Sequence, residues 1–281
     1  MKKVRIFRDW KPSVKCDLDY KDIKIVEDDS YDYAVLFNTP RPKLKNIPKE
    51  NVIGFMWEPR SIRNPAPFVK YAQDNIGCYL IGDTKGLPEP FKEYHGFMAD
   101  YNGYNIQPSN KHPMCIIASN NNYLVGHKKR HQLVKEILKT DMDIHIYGRG
   151  AERMYKDKRV KGGFQHFSDV YPQYHFDISI ENSCEGSYIT EKFTRPLVNE
   201  TCPIYWGSNS IGKYFSDCYY TLSDNNNQAM QDIRKIYNNY MSYYNKKKDS
   251  ILTTKDNLLN YNYLDFANYY FDNGKIENKV L

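Results

Sequence analysis

Phe176-Asp177-Ile178-Ser179-Ile180-Glu181-Asn182-Ser183-Cys184-Glu185-Gly186-Ser187-Tyr188-Ile189-Thr190-Glu191-Lys192, followed by Cys202-Pro203-Ile204-Tyr205-Trp206-Gly207, is the stretch on which the fold reading turns. Phe176, Ile178 and Ile180 alternate with polar residues, which is the period of a strand. A polar loop follows, then a short helix and a second strand. Glu181, Asn182, Tyr188, Glu191 and Lys192 crowd the connection, where they do not help to build a core. Chemistry-bearing residues at a strand exit mark a ligand site, because open α/β sheets bind ligands beyond the carboxyl ends of their strands.

The helix in this stretch has two possible starts. Thr190 can cap a helix that begins at Glu191, but Pro196 then falls in its second turn, where the ring clashes with the Lys192 carbonyl. Alternatively Thr194 caps a helix that begins at Arg195. A lysine in a first turn opposes the helix dipole, so Lys192 needs another reason to be there, and a bound diphosphate would supply one.

Working outward, apolar strands and helical stripes alternate. Val4–Phe7, Tyr33–Phe37, Val52–Trp57 and Cys78–Ile81 read as strands, with a helix over Pro67–Asp74. The stretch 86–113 is rich in Pro and Gly and reads as loops and a linker. A second series begins at Met114–Ser119 and continues through a helix over His127–Lys139 and strands at Ile144–Tyr147, Phe176–Ile180 and Pro203–Trp206. A helix over Gln228–Asn238 and a partly helical tail from Tyr240 close the chain. Two successive βαβ series predict an α/β protein of two doubly wound, Rossmann-like domains facing a cleft, residues 1–110 and 111–281, the second carrying the helical tail.

Composition narrows the function classes. At 41% hydrophobic and 26% charged, the chain reads as a globular protein. The 26 tyrosines suit polar ligands such as sugars, although a coding bias that also enriches Asn, Lys and Ile accounts for them equally well. A net charge of +6 is too mild and too evenly spread to argue for nucleic acid. The basic run His127-Lys128-Lys129-Arg130-His131 reads as a solvated face. Cysteines at 16, 78, 115, 184, 202 and 218 form no C-x-x-C pair, which argues against a structural zinc site. No apolar segment follows Met1-Lys2-Lys3, and no run approaches a membrane span. The chain as given is therefore expected to be cytoplasmic, with a bacterial or viral source open.

Arg130 lies three and four residues before Leu133 and Val134, so it extends an apolar helical stripe toward the helix start. Anions bind there, and a guanidinium matches phosphate oxygens with a planar fork. The plainer alternative is a boundary arginine with its head in water.

The pattern Phe176-x4-Glu181-Asn182-x5-Tyr188-x-Thr190-Glu191-Lys192-x10-Pro203-Ile204-Tyr205-Trp206-Gly207 resembles the donor-site signature of the α1,3-fucosyltransferases, glycosyltransferase family 10. The likeness runs from about Met114 to Asn238 and is weak in the amino-terminal half. It implies the GT-B arrangement, with an acceptor-side first domain and a donor-binding second domain. It also implies GDP-fucose as donor, an oligosaccharide acceptor containing GlcNAc or GalNAc, and α1,3-type transfer with inversion and no obligatory metal or other cofactor. By position, Arg130 and Lys192 would hold the diphosphate. Asn182, Tyr188 and Glu191, with Glu181 beside them, would contact ribose, phosphates or fucose, and Glu191 stands with the catalytic candidates. The general base would be Glu58 in Trp57-Glu58-Pro59, which departs from the family's Glu-Ser-Pro. Another nucleotide sugar on the same scaffold, or a non-catalytic binding module, is the alternative.

Three patterns are decoys. Gly207-x4-Gly212-Lys213 lacks the hydroxyl residue of a P-loop, since Tyr214 follows. Asp141-Met142-Asp143 precedes a strand instead of following one, and Asp17-Leu18-Asp19 shows how cheap such a pattern is. His127 and His131 are four apart, but no Glu follows His127, so a zincin helix is excluded.

Overall fold

The computed structural model describes residues 1–9, 20–95, 108–109 and 112–276. Cys16, Asp17-Leu18-Asp19 and half of the expected loop and linker stretch lie outside the described residues. The chain forms two compact units, each built on a six-stranded parallel sheet.

The first unit contains β1 (Lys2–Arg8), β2 (Ile23–Ile25), β3 (Tyr33–Phe37), β4 (Val52–Phe55), α1 (Val69–Asn75), β5 (Cys78–Ile81) and β6 (Phe91–Glu93), in the order β2-β1-β3-β4-β5-β6. The central strands β4 and β5 are buried along their whole length, which is why they read as continuous apolar runs rather than alternating ones. Gly54 interrupts β4 because a Cβ there would overlap the ring of Tyr79.

The second unit contains β7 (His112–Ile117), α2 (Val125–Leu138), β8 (Ile144–Tyr147), α3 (Ala151–Met154), β9 (Val160–Gly162), β10 (Tyr174–Ile180), α4 (Glu191–Val198), β11 (Cys202–Trp206), β12 (Tyr220–Thr221), α5 (Asn226–Asn238) and α6 (Tyr240–Leu259). Its order is β12-β11-β10-β7-β8-β9. The first strand of the unit, β7, therefore lies beside the fourth, β10. Chain order reverses between them, and this is the switch point at which doubly wound sheets bind ligands.

The final helix, α7 (Tyr263–Asn273), packs in the first unit, not with the second as the tail was expected to. The physical reason is its apolar side. Tyr263 meets Phe37 with ring centroids 5.1 Å apart, Phe266 meets Phe55 at 6.4 Å, and Phe271 meets Tyr33 at 4.6 Å. The segment 185–188 belongs to the first unit as well. There the Glu185 carboxylate accepts from the Arg60 and Ser61 amides at 2.8 and 3.2 Å, and Ser187 donates to Glu93 at 2.7 Å.

The helix in the opening stretch starts at Glu191. Thr190 is its cap and accepts from the Lys192 amide at 3.3 Å. Pro196 is accommodated inside the helix, and Thr194 is buried instead of capping. Strands β2, β6, β9 and β12 escaped the sequence reading, because two or three residues are too few to show a period.

Candidate active site

A cavity opens at the carboxyl ends of β7 and β10, at the switch point of the second sheet. Among its lining residues are Ser119 and Asn121 after β7, His127 and Arg130 of α2, Asn182 after β10, and Glu191 and Lys192 at the start of α4. Asp177, Ser179 and Tyr171 line its floor and side. Of the residues expected to bind the donor, Arg130, Asn182, Glu191 and Lys192 thus share one cavity.

Helix α2 is fixed at both ends. At its start, the Gly126 amide donates to the Asn182 carbonyl at 3.1 Å. Only glycine fits there, since a Cβ would overlap the Glu181 carbonyl oxygen. At its far end, Arg159 donates to the carbonyls of Ile137 and Leu138 in the last turn and of Thr140 and Met142 just beyond it, at 2.7–3.3 Å. The basic run on α2 is not the solvated face its composition suggests. Lys129, Arg130 and His131 are buried with His127, and only Lys128 is exposed. Lys129 donates to the Ser223 and Asp224 carbonyls, both at 2.9 Å, and lies 5.4 Å from the Trp206 ring. Its partners are structural, so its charge is used within the fold.

Arg130 is held against the end of β10. Its Nε donates to the Ile180 carbonyl at 3.0 Å and its Nη2 to Asn182 Oδ1 at 2.8 Å, with Nη2 also on the Ile180 carbonyl. These bonds to neutral oxygens fix the orientation of the guanidinium at the cavity. Lys192 donates to Glu191 Oε1 at 2.9 Å. Burial alone would raise the Glu191 pKa, but Lys192 and then Arg195 outweigh it and hold the carboxyl at about 2.

The sequence reading gave His127 no part in the site. It lines the cavity, and burial, followed by the charges of Arg130 and Lys192, lowers its pKa to about 4. It is a neutral imidazole at neutral pH. Asp177, at the centre of β10, was equally missed. It accepts from Ser179 Oγ at 2.5 Å, and burial pushes its pKa up to about 7.

The remaining expected residues lie elsewhere. Glu181 does not line the cavity. Its fully buried carboxylate accepts from the Thr190 amide and hydroxyl at 2.7 and 2.6 Å, which pins the cap of α4. Burial raises its pKa to about 7, against the opposing charge of Lys192. Tyr188 is buried in the first unit with the 185–188 segment. Glu58 stands just beyond β4 in the first unit, half-buried.

The model for glycosyltransferase family 10 (fucosyltransferase), C-terminal part, matches residues 107–262, more than half of the chain. The chain belongs to glycosyltransferase family 10. It is 27% identical over 180 residues to alpha-(1,3)-fucosyltransferase B of Drosophila melanogaster, covering 58% of this chain and 39% of that protein. It is 31% identical over 114 residues to alpha-(1,3)-fucosyltransferase FucT of Helicobacter pylori, covering 40% and 23%. The chain thus matches about two-fifths or less of the length of these relatives. Crystal structures of alpha1,3-fucosyltransferase with GDP and with GDP-fucose share the family 10 fold at TM-scores of 0.56 and 0.55. Each is 13% identical to this chain, and the alignments cover 98% and 92% of it and 91% and 90% of the solved chains. The GT-B fold class expected from the sequence is therefore the observed one. Among the described residues, no helix is long and apolar enough to cross a membrane.

Proposed function

We propose that this family 10 chain is an inverting fucosyltransferase. It binds GDP-fucose in the cavity of the second unit and passes the sugar to a hydroxyl of an oligosaccharide containing GlcNAc or GalNAc, in an α1,3-type linkage. The observation that carries the reading is the meeting of Arg130, Lys192 and the amino end of α4 at the sheet's switch point. Two cations and a helix start make a diphosphate site.

In the proposed reaction the acceptor oxygen attacks the anomeric carbon as its bond to the phosphate oxygen breaks. The carbon passes through an oxocarbenium-like state, as in glycoside hydrolysis. Negative charge grows on the departing GDP, and preorganised cations stabilise that charge without reorganising. Asn182 orients Arg130, and Glu191 orients Lys192 and sits where sugar or ribose hydroxyls could donate to it. Glu181 positions the whole helix start through Thr190. Glu58 takes the acceptor proton, so the first unit serves the acceptor and the second the donor, with Tyr188 contacting the nucleotide sugar from its segment. No metal is needed in this scheme.

The test is calorimetric titration with GDP, followed by a GDP-release assay across nucleotide sugars and galactosyl and N-acetylglucosaminyl acceptors. GDP binding with acceptor-dependent release from GDP-fucose supports the reading. Release from a different nucleotide sugar would replace the donor, and binding without release under any pairing would reduce the chain to a binding module.

A further inference from the structure

At the opposite, amino end of the second sheet, three side chains converge that the donor reading does not use. His112 opens β7, while Asp143 and His145 stand at the start of β8. We infer that His112, Asp143 and His145 form a binding site for one divalent transition-metal ion of the zinc class.

One ligand atom from each residue lies within 4.8 Å of the other two. His145 Nε2 is 3.4 Å from Asp143 Oδ1. Two ligands on a tetrahedral zinc at about 2.0–2.1 Å are themselves about 3.4 Å apart, so this pair already spans one edge of the coordination shell. The His112 and His145 rings have centroids 4.8 Å apart, and a small rotation of His112, at the half-buried head of its strand, brings the third ligand in. Two imidazoles and a carboxylate are the donor set that suits zinc and its neighbours rather than magnesium or calcium. Water completes the shell.

The supporting hydrogen bonds are built in. Tyr174 OH lies 2.7 Å from His145 Nδ1 and 2.9 Å from Tyr147 OH, and Tyr174 is fully buried. A metal-binding histidine commonly gives its second ring N–H to a fixed acceptor, which sets the tautomer and aims the other nitrogen. In the tautomer with Nδ1 donating to Tyr174, Nε2 is a bare electron-pair donor facing a carboxylate oxygen at 3.4 Å, and a cation fits between them. One group opposes it: Lys161, exposed on β9, bears electrostatically on His145.

The experiment is a zinc titration of the full chain after chelator treatment, with affinity from competition against a chromogenic chelator and geometry from the visible spectrum of the cobalt form. We expect one equivalent and a four-coordinate cobalt spectrum. Asp143→Asn and His145→Gln each weaken zinc binding by at least about tenfold, and Tyr174→Phe by about tenfold through the tautomer. Lys161→Gln tightens it several-fold, an outcome that damage to the fold cannot mimic. GDP affinity stays unchanged in Asp143→Asn, because the two sites lie at opposite ends of the strands. Equal zinc affinity in the wild type and in Asp143→Asn, which replaces an exposed side chain, would overturn the site, as would binding of less than one equivalent.

Discussion

At the carboxyl edge of the first sheet, where chain order reverses between β1 and β3, Arg63 meets an equal and opposite charge. Its Nη1 is 2.5 Å from Asp9 Oδ2 and 3.1 Å from Thr39 Oγ1, and Asn38 donates to Asp9 at 3.3 Å. The matching edge of the second sheet is arranged otherwise. Arg130 is oriented by neutral oxygens, Lys192 has one carboxylate partner, and Asp177 and Glu181 are half-neutralised near pH 7 by burial. At one switch point the arginine is paired with a carboxylate of its own edge, and at the other an arginine and a lysine line a cavity together. The proposed anion site therefore falls on the second sheet, because function follows the charges placed on the fold.

The largest effect should come from the first unit's contribution to chemistry. Glu58→Gln keeps the shape of the side chain and removes the proposed base. Transfer is expected to fall by about 10²–10⁴-fold while GDP binding is retained. GDP-release kinetics beside calorimetry reads both, and unchanged transfer would move the base elsewhere. Next come the cations of the second unit. Lys192→Ala and Arg130→Ala should each lower donor affinity or turnover by about 10²-fold. Arg130→Ala should also lower stability by about 1–3 kcal/mol, since the Ile180 carbonyl and Asn182 lose a charged donor. Near-normal rates in both variants would erase the contrast between the two edges.

The contrast also has a pH signature. Asp177 and Glu181 have folded-state pKa values raised by burial to about 7. Between the usual carboxylate range and about 7, the folded chain holds protons that the unfolded chain has released, so stability falls as pH rises through that window. His127, lowered to about 4, acts in the opposite sense, adding stability as pH rises from 4 to 6.5. The clean measurement is therefore a difference. Relative to the wild type, Asp177→Asn should gain on the order of 1–3 kcal/mol in urea unfolding between pH 4.5 and pH 7.5. A pH-independent difference would mean that Asp177 ionises normally.

Much of this was legible in the sequence because the signals were local. The alternation of Phe176, Ile178 and Ile180 marks β10, and the cluster that follows it supplies Asn182, Glu191 and Lys192 to the cavity. Arg130 was legible from its place ahead of Leu133 and Val134. What escaped depends on contacts distant in the chain. Nothing near Glu181 says that it will be buried under Thr190, and nothing near Lys129 says that it will be absorbed by the Ser223 and Asp224 carbonyls. His127 gains its meaning only when Arg130 and Lys192 stand beside it. The last helix reads like any amphipathic tail, and only the rings of Phe37 and Phe55, which it buries, tell it where to pack.

The smallest expected effect tests the balanced edge. In Asp9→Asn, Arg63 loses its carboxylate but keeps the Thr39 hydroxyl, and Asn38 keeps an acceptor. The pair is partly exposed, with side chains 36% and 20% accessible, so its loss should cost about 1 kcal/mol or less. The substitution also creates what the second edge has naturally, an arginine oriented by neutral oxygens. If surplus charge alone recruited the nucleotide, GDP affinity would rise by tenfold or more. We expect it to change by less than about twofold, because at the second edge two cations and a helix start line one cavity. Calorimetry on Asp9→Asn alone and combined with Lys192→Ala separates the outcomes. GDP binding restored in the double variant would show that the first edge can serve as the anion site, and the assignment of the donor to the second unit would fail.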